Sequence, residues 1–266
     1  KEAERRAAQE LEIAKQVQSR LFPQCQPVCP TLDYAGICIQ AREVGGDYYD
    51  FLDFGRQKIG FVVGDIAGKG IAGALLMANL QANLRGQLAL AHDQPHNLLK
   101  AVNRLFYTNT SDNAYATLFF AEYDDAHQTM RYINCGHLPA LLLRSEGEVE
   151  RLHSTCTVLG LFRDWECAVE EIRLYHGDIL AIYTDGVTEA LNAQGEEFGD
   201  ERLMEAVQRN RHLSTPDILA AIVAEVQGFS TREQHDDITL IVARCLDTGQ
   251  QSLRFQNFEK RASTSA

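Results

Sequence analysis

Four short segments set aspartate against glycine at or near the end of an apolar run, and they are spread across most of the chain. They are Gly45-Gly46-Asp47-Tyr48-Tyr49-Asp50, Gly64-Asp65-Ile66-Ala67-Gly68-Lys69-Gly70, Thr184-Asp185-Gly186-Val187-Thr188-Glu189 and His235-Asp236-Asp237-Ile238-Thr239. A carboxylate directly after an apolar strand projects from the sheet edge, and a neighbouring glycine, lacking Cβ, lets backbone or ligand come close. Any one segment taken alone reads more readily as a turn or a helix cap, because Asp and Gly are ordinary turn residues. Gathered at one place, the four pose an electrostatic problem, since clustered carboxylates repel and desolvated anions persist only beside cations. A fold is therefore expected in which these strand ends converge and metal neutralises the acids. Hard oxygen ligands suit Mg²⁺ or Mn²⁺ better than zinc. A pair of such ions lowers the pKa of a shared water, aims it at phosphorus and neutralises phosphoryl oxygens without a side-chain nucleophile.

The rest of the composition agrees with a globular domain that gathers cations. The 266 residues suit one large domain with appendages better than two equal ones, and 45% hydrophobic with 23% charged residues is enough to build a core. A net charge of −12 argues against a general nucleic-acid or anionic-membrane surface, which would be repelled at long range. No apolar stretch approaches the roughly 20 residues that span a bilayer, and the start is charged, so a cytoplasmic protein without direct membrane contact is expected. Seven scattered cysteines form no regular disulfide framework. Cys25 and Cys29 lack a second pair at zinc spacing, so free thiols are expected.

Residues 1–22 form the first unit, a helical linker in which Ala7, Leu11, Ala14, Gln18 and Leu21 repeat in steps of four and three. This seam suits either a homodimeric coiled coil or an amphipathic helix packed on its own domain. Because the sequence begins inside this helix, a longer protein with an upstream sensor is expected. Pro23, Pro27 and Pro30 end the helix. Residues 31–246 form the second unit. Strands are expected at 34–41, 48–54, 59–66, 116–123, 130–134, 140–144, 169–174, 179–184 and 238–244, with helices at 73–90, 95–108, 200–209 and 216–228. Strands in runs with helices in pairs give α+β, two sheets with helices outside them. Residues 247–266 are a polar tail, expected to be partly disordered or derived from a tag.

Glu43-Val44-Gly45-Gly46-Asp47-Tyr48-Tyr49-Asp50-Phe51, Gly64 to Gly70 and Asn134-Cys135-Gly136-His137-Leu138-Pro139, with the helix ending in Leu21-Phe22-Pro23, resemble motifs of one family. It is the PPM, or protein phosphatase 2C-like, family in its bacterial SpoIIE- and RsbU-like branch. The resemblance covers nearly everything from Leu11 to Arg244 and implies an α-β-β-α sandwich of two antiparallel sheets with a metal cluster at one edge. It implies two or more Mn²⁺ or Mg²⁺ ions held by Asp47, Asp65, the Ile66 carbonyl, Asp185 and Asp236, with Asp65 bridging two of them. Asp65 and Asp185 are the catalytic candidates. Asp50 and Glu189 belong to the motifs as orienting groups, and Asp237 stands where many relatives carry Asn. Arg42, five residues before Asp47, and Lys69 are alternative phosphate-binding candidates, each equally readable as a surface cation. His137 and His235 read better as positioning a turn and a loop than as general acids.

The resemblance further implies a phosphoserine or phosphothreonine protein substrate, by analogy a STAS anti-anti-sigma partner. It also implies that the leucine-lined helices at 73–108 are regulatory, moved by signals through residues 1–21. Competing readings are weaker. Gly64 to Gly70 lacks P-loop spacing, and Gly70 stands where the metal-binding hydroxyl is needed. Gly46-Asp47 is similar to a diguanylate-cyclase signature, yet Tyr48 and Tyr49 replace the acid and aromatic expected next. A catalytically silent phosphatase-fold module would have lost metal acids, whereas Asp47, Asp65, Asp185 and Asp236 are all present.

Overall fold

Strand residues that alternate between two apolar environments need a partner layer on each face, and the chain supplies both. The computed structural model describes residues 1–88, 94–111, 113–230 and 234–247. One sheet has the order β1-β10-β9-β6-β7, built from β1 (Leu32–Ile39), β6 (Ala140–Leu143), β7 (Val149–Leu152), β9 (Ile179–Tyr183) and β10 (Ile238–Cys245). The other runs β2-β3-β4-β5-β8, from β2 (Tyr48–Gly55), β3 (Lys58–Ile66), β4 (Ala116–Asp124), β5 (Thr129–Cys135) and β8 (Glu170–Arg173). Neighbouring strands in both sheets are antiparallel.

Between the sheets, Phe61, Phe119, Leu142 and Ile182 share one buried cluster. The next residues along those strands face outward. Val62 and Phe120 meet Leu80, Leu84, Leu99 and Phe106 of α2 (Gly70–Leu88) and α3 (Pro95–Asn109). Leu141 and Ala181 meet Leu203 and Ile222 of α5 (Gly199–Asn210) and α6 (Thr215–Phe229). This period-two alternation gives helix, sheet, sheet, helix, the α+β sandwich that the family resemblance implied. Each fully buried aliphatic or aromatic side chain contributes about 1.5–3 kcal/mol.

The differences from the sequence reading have local causes. Helix α2 starts at Gly70, and its buried stripe is Gly73, Met77, Leu80 and Leu84, so Leu75, one of the leucines that line this helix, is 68% exposed. Gly73 leads the stripe because a Cβ there would lie 2.5 Å from the Gly68 carbonyl oxygen, which seats the helix on the preceding loop. Strand β7, Val-Glu-Arg-Leu, was not expected, since an edge strand with a solvated face carries little alternation. The single turn α4 (Asp185–Thr188) likewise escapes periodicity. The end of the helix expected at 73–90 and nearly all of the 247–266 tail lie outside the described residues.

Helix α1 (Glu2–Ser19) is exposed at Ala7, yet along the same seam Leu11 and Ala14 are half-buried and Gln18 is buried. Leu21 and Phe22 pack against the α2–α3 cluster, and the Phe22 ring stacks on Tyr49 at 5.6 Å. The C-terminal half of the helix therefore packs on its own domain.

Candidate metal centre

Sheet register brings the acids together. The pairing of Tyr48 with Gly64 sets Asp47, just before β2, level with Asp65 near the end of β3. In the other sheet, Leu240 pairs with Tyr183, so Asp185 leaves β9 beside the point where Asp236 enters β10. The two sheets are joined here by Thr184, whose hydroxyl donates to Asp47 Oδ2 at 2.7 Å and accepts from the Thr239 amide at 3.1 Å.

Asp237 anchors the adjoining backbone. Its Oδ1 accepts from the Ala41 amide at 2.8 Å and its Oδ2 from the Asp47 amide at 3.3 Å. Glycine is required around it: a Cβ on Gly45 would lie 1.9 Å from Asp237 Oδ2, and one on Gly186 would lie 2.0 Å from the Asp237 carbonyl oxygen. Gln18 of α1 clamps the same loop, donating to the Gly45 carbonyl at 2.7 Å and accepting from the Gly45 amide at 3.1 Å.

An open cleft follows, lined by Arg42, Gly46, Asp65, Gly68, Lys69 and Asp236 among others. Asp47 is only 3% exposed. Asp185 is not part of this lining but is close enough to press electrostatically on Asp65. Burial, and then the charge of Asp65, hold the Asp47 carboxyl well above the usual range. Asp65 is pushed up to about 7 by burial and then by Asp185, Asp236 and Asp237, with Lys69 acting in opposition. Burial and then Asp236 raise Asp185, and burial and then Asp185 raise the more exposed Glu189. All four predicted acids thus belong to one electrostatic neighbourhood.

These shifts reflect carboxylates first buried and then crowded together without enough positive charge, the condition that a divalent cation relieves. The donor set fits such an ion. Carboxylate oxygens surround the cleft, and the Ile66 and Gly68 carbonyl oxygens each lie 3.0 Å from where a Gly46 Cβ would sit, so the glycine keeps that space open. Among the described residues, no three His, Cys, Asp or Glu side chains already close on one point as a chelate. Mg²⁺-type ions tolerate this, because they keep several waters and use one or two carboxylates plus substrate phosphate.

The cations differ in commitment. Lys69 Nζ donates to Asp236 Oδ2 at 2.7 Å, and that bond, opposed by burial, raises the Lys69 pKa. Arg42 is exposed on the rim, with Nη1 3.8 Å from where a Gly70 Cβ would sit. His235 lines the cleft, whereas His137 is buried away from it. The His137 Nε2 lies 3.0 Å from the Tyr183 carbonyl oxygen and must donate to it, leaving Nδ1 to accept from Thr117 Oγ1 at 2.8 Å. Burial lowers its pKa to about 4, so it stays neutral and braces β9 just before Asp185. Asp50 does not line the cleft; it is buried and held in a bidentate pair by the half-exposed Arg85, at 2.8 and 2.7 Å.

Sequence reasoning did not assign roles to Thr184, Arg85 or Gln18. Gln18 had a signal, a polar residue in an otherwise apolar seam, which implies a buried partner. The other two make contacts across more than a hundred residues and across 35 residues, respectively, with no local trace.

Comparison with known proteins agrees with this architecture. A family model described as Stage II sporulation protein E (SpoIIE) matches residues 55–246. Protein IcfG of Synechocystis sp. is 32% identical over 259 residues, which cover 87% of this chain and 41% of IcfG. Phosphoserine phosphatase RsbU of Bacillus subtilis is 29% identical over 237 residues, covering 88% of this chain and 70% of RsbU. The chain therefore spans less than half of the first relative and about two thirds of the second. Among solved structures, the SiaA-PP2C domain of Pseudomonas aeruginosa gives a TM-score of 0.81 at 20% identity, covering 92% of this chain and 99% of that one. The catalytic domain of the serine threonine protein phosphatase PstP, in complex with 2 manganese ions, gives 0.63 at 16% identity, covering 82% and 99%. At these identities the solved structures speak for the fold, a protein phosphatase 2C fold, and with the family model matching most of its length the chain belongs to the SpoIIE family.

Proposed function

We propose that this domain is a metal-dependent serine/threonine phosphoprotein phosphatase that hydrolyses a phosphoserine or phosphothreonine on a regulatory protein. The observation that carries this reading is the convergence of Asp47, Asp65, Asp185 and Asp236, from distant parts of the chain, into one under-neutralised carboxylate cluster beside an open cleft. Asp47, Asp65, the Ile66 carbonyl, Asp185 and Asp236 would hold two or more Mn²⁺ or Mg²⁺ ions. Such ions, when bound, make water nucleophilic and neutralise the phosphoryl group. The chain's own part is to fix the donors. Thr184 holds one oxygen of Asp47, Asp237 holds the backbone on either side of Gly45, and the glycines keep the floor open. Asp65 and Asp185 remain the catalytic candidates. Arg42 is the stronger phosphate ligand, since Lys69 is engaged by Asp236 and a planar guanidinium grips phosphate through two bonds.

The similarity to RsbU supports a phosphorylated protein partner, of which a STAS-domain protein is the reading carried forward. Pairing of two copies through the exposed upstream half of α1, an upstream sensor and a cytoplasmic setting belong to the same proposal. Signals arriving through α1 would reach Gly45 through Gln18 as well as the α2–α3 pair through Leu21 and Phe22. The diguanylate-cyclase reading loses its footing, because Gly46-Asp47 sits in a phosphatase fold. Among the described residues no helix is long and apolar enough to cross a membrane.

The test is hydrolysis of a phosphoprotein and of para-nitrophenyl phosphate with Mn²⁺ or Mg²⁺, comparing the native chain with Asp65→Ala and Asp185→Ala. Turnover that needs the metal and falls by about a hundredfold or more in both variants is expected. Undiminished turnover in a folded Asp65→Ala variant removes Asp65 from the mechanism. An inert native chain that still binds a phosphoprotein would favour the silent-module reading.

A further inference from the structure

Seven cysteines are spread through the sequence, and the fold draws two of them, 21 positions apart, side by side. Cys135 is the last residue of β5 and is fully buried, while Cys156 lies in the segment that returns past that strand and is half-buried. The two residues are partners in an isolated parallel bridge. The Thr155 and Cys156 amides both donate to the Asn134 carbonyl, at 2.9 and 3.2 Å, and Cys156 Sγ lies 3.6 Å from that same oxygen. Bridged neighbours sit about 5 Å apart at Cα, inside the roughly 4.4–6.8 Å range that disulfides span.

We propose that Cys135 and Cys156 are a peroxide-sensitive thiol pair that closes to an intramolecular disulfide. Their unequal access sets the order of events. Cys156, reachable from solvent, attacks one oxygen of hydrogen peroxide, breaking the O–O bond, releasing hydroxide and becoming a sulfenic acid. The Cys135 sulfur then attacks the sulfenic sulfur, forming the S–S bond as its own proton leaves with the hydroxyl group as water. In sum, two thiols and one peroxide give one disulfide and two waters. The local electrostatics favour this order: the Cys156 thiol is lowered from its usual range first by its hydrogen bond with Cys135, while burial keeps Cys135 protonated and well above it. Cys167 is half-buried and packs against the same apolar cluster, so it is the competitor that a test must separate.

The bond would pin the returning segment to β5. Further along, that segment holds α3, through the Gly160 amide to Asn103 Oδ1 at 2.9 Å and Asn103 Nδ2 to the Phe162 carbonyl at 2.9 Å.

The test is peptide mapping by mass spectrometry of the whole folded chain treated with hydrogen peroxide at low protein concentration, with and without dithiothreitol. A Cys135–Cys156 linked peptide that disappears on reduction and is absent from Cys156→Ser is expected. A Cys135→Ala variant is expected to leave Cys156 as a sulfenic acid that dimedone labels. If Cys135→Ala does not fold, Cys167→Ser serves in its place, and the Cys135–Cys156 link must persist there. Predominant Cys156–Cys167 linkage, or Cys156 that remains unmodified while Cys25 oxidises, overturns the proposal.

Discussion

Asp47 and Asp50 lie three residues apart, and both are buried, yet the protein treats them in opposite ways. Asp50 is matched inside the chain: Arg85 grips both its oxygens, and the Tyr48 hydroxyl donates to Oδ2. Asp47 receives a hydroxyl from Thr184 but, among the described residues, no cation, and its near electrostatic neighbours include Asp65 and Asp237. A buried carboxylate with its own arginine holds the fold together, here tying β2 to α2. A buried carboxylate among other carboxylates destabilises the metal-free fold and is tolerable where an outside cation completes it. The contrast separates a structural acid from a proposed functional one at the start of β2.

The largest expected effect breaks the functional side. Asp47→Asn keeps the Thr184 bond while removing a repelled charge, so it is expected to lower metal-dependent turnover by about a hundredfold or more. The metal-free melting temperature is expected to stay level or rise, and a clear fall would show that Asp47 is a stabilising residue after all. The structural side should fail in the reverse pattern. Arg85→Met strands Asp50 in the core and is expected to cost about 2–4 kcal/mol in denaturant unfolding, less than a fully buried pair because Arg85 is 46% exposed. That loss should be the same with and without Mn²⁺, which sets it apart from any change at the cleft.

The third effect is a pH dependence. Without metal the Asp65 carboxyl is raised from 3.8 to about 7, so the folded chain keeps a proton that the unfolded chain releases as pH climbs from about 4 to 7. Metal-free stability therefore declines across that window and levels off above it. Cations bind the ionised form, so the apparent Mn²⁺ affinity should weaken by about tenfold per pH unit per proton displaced below pH 7. Calorimetric titration between pH 5.5 and 8 checks this, and an affinity flat across that range would mean that Asp65 is not a ligand.

Much of this was legible because the informative residues repeat. Continuous apolar runs such as Phe61-Val62-Val63 marked strands whose two faces serve two cores, and glycine-flanked aspartates marked the strand ends that meet. Partners set by tertiary packing left no such pattern. Leu75 fits helical spacing as well as Met77 does, and the close seat of Gly73 on Gly68 decides which of them turns inward. Asp237 had no assigned role in the closing motif, and its two oxygens are taken up by the Ala41 and Asp47 amides. Gln18 fits the seam by spacing alone, and its partner is the Gly45 backbone, 27 residues on.

Anomalous diffraction from crystals soaked in Mn²⁺ tests the central claim most directly. The account predicts peaks in the cleft, with Asp65 and at least one of Asp47, Asp185 and Asp236 about 2.0–2.3 Å from manganese. An active protein saturated with Mn²⁺ that shows no peak near these carboxylates would contradict it.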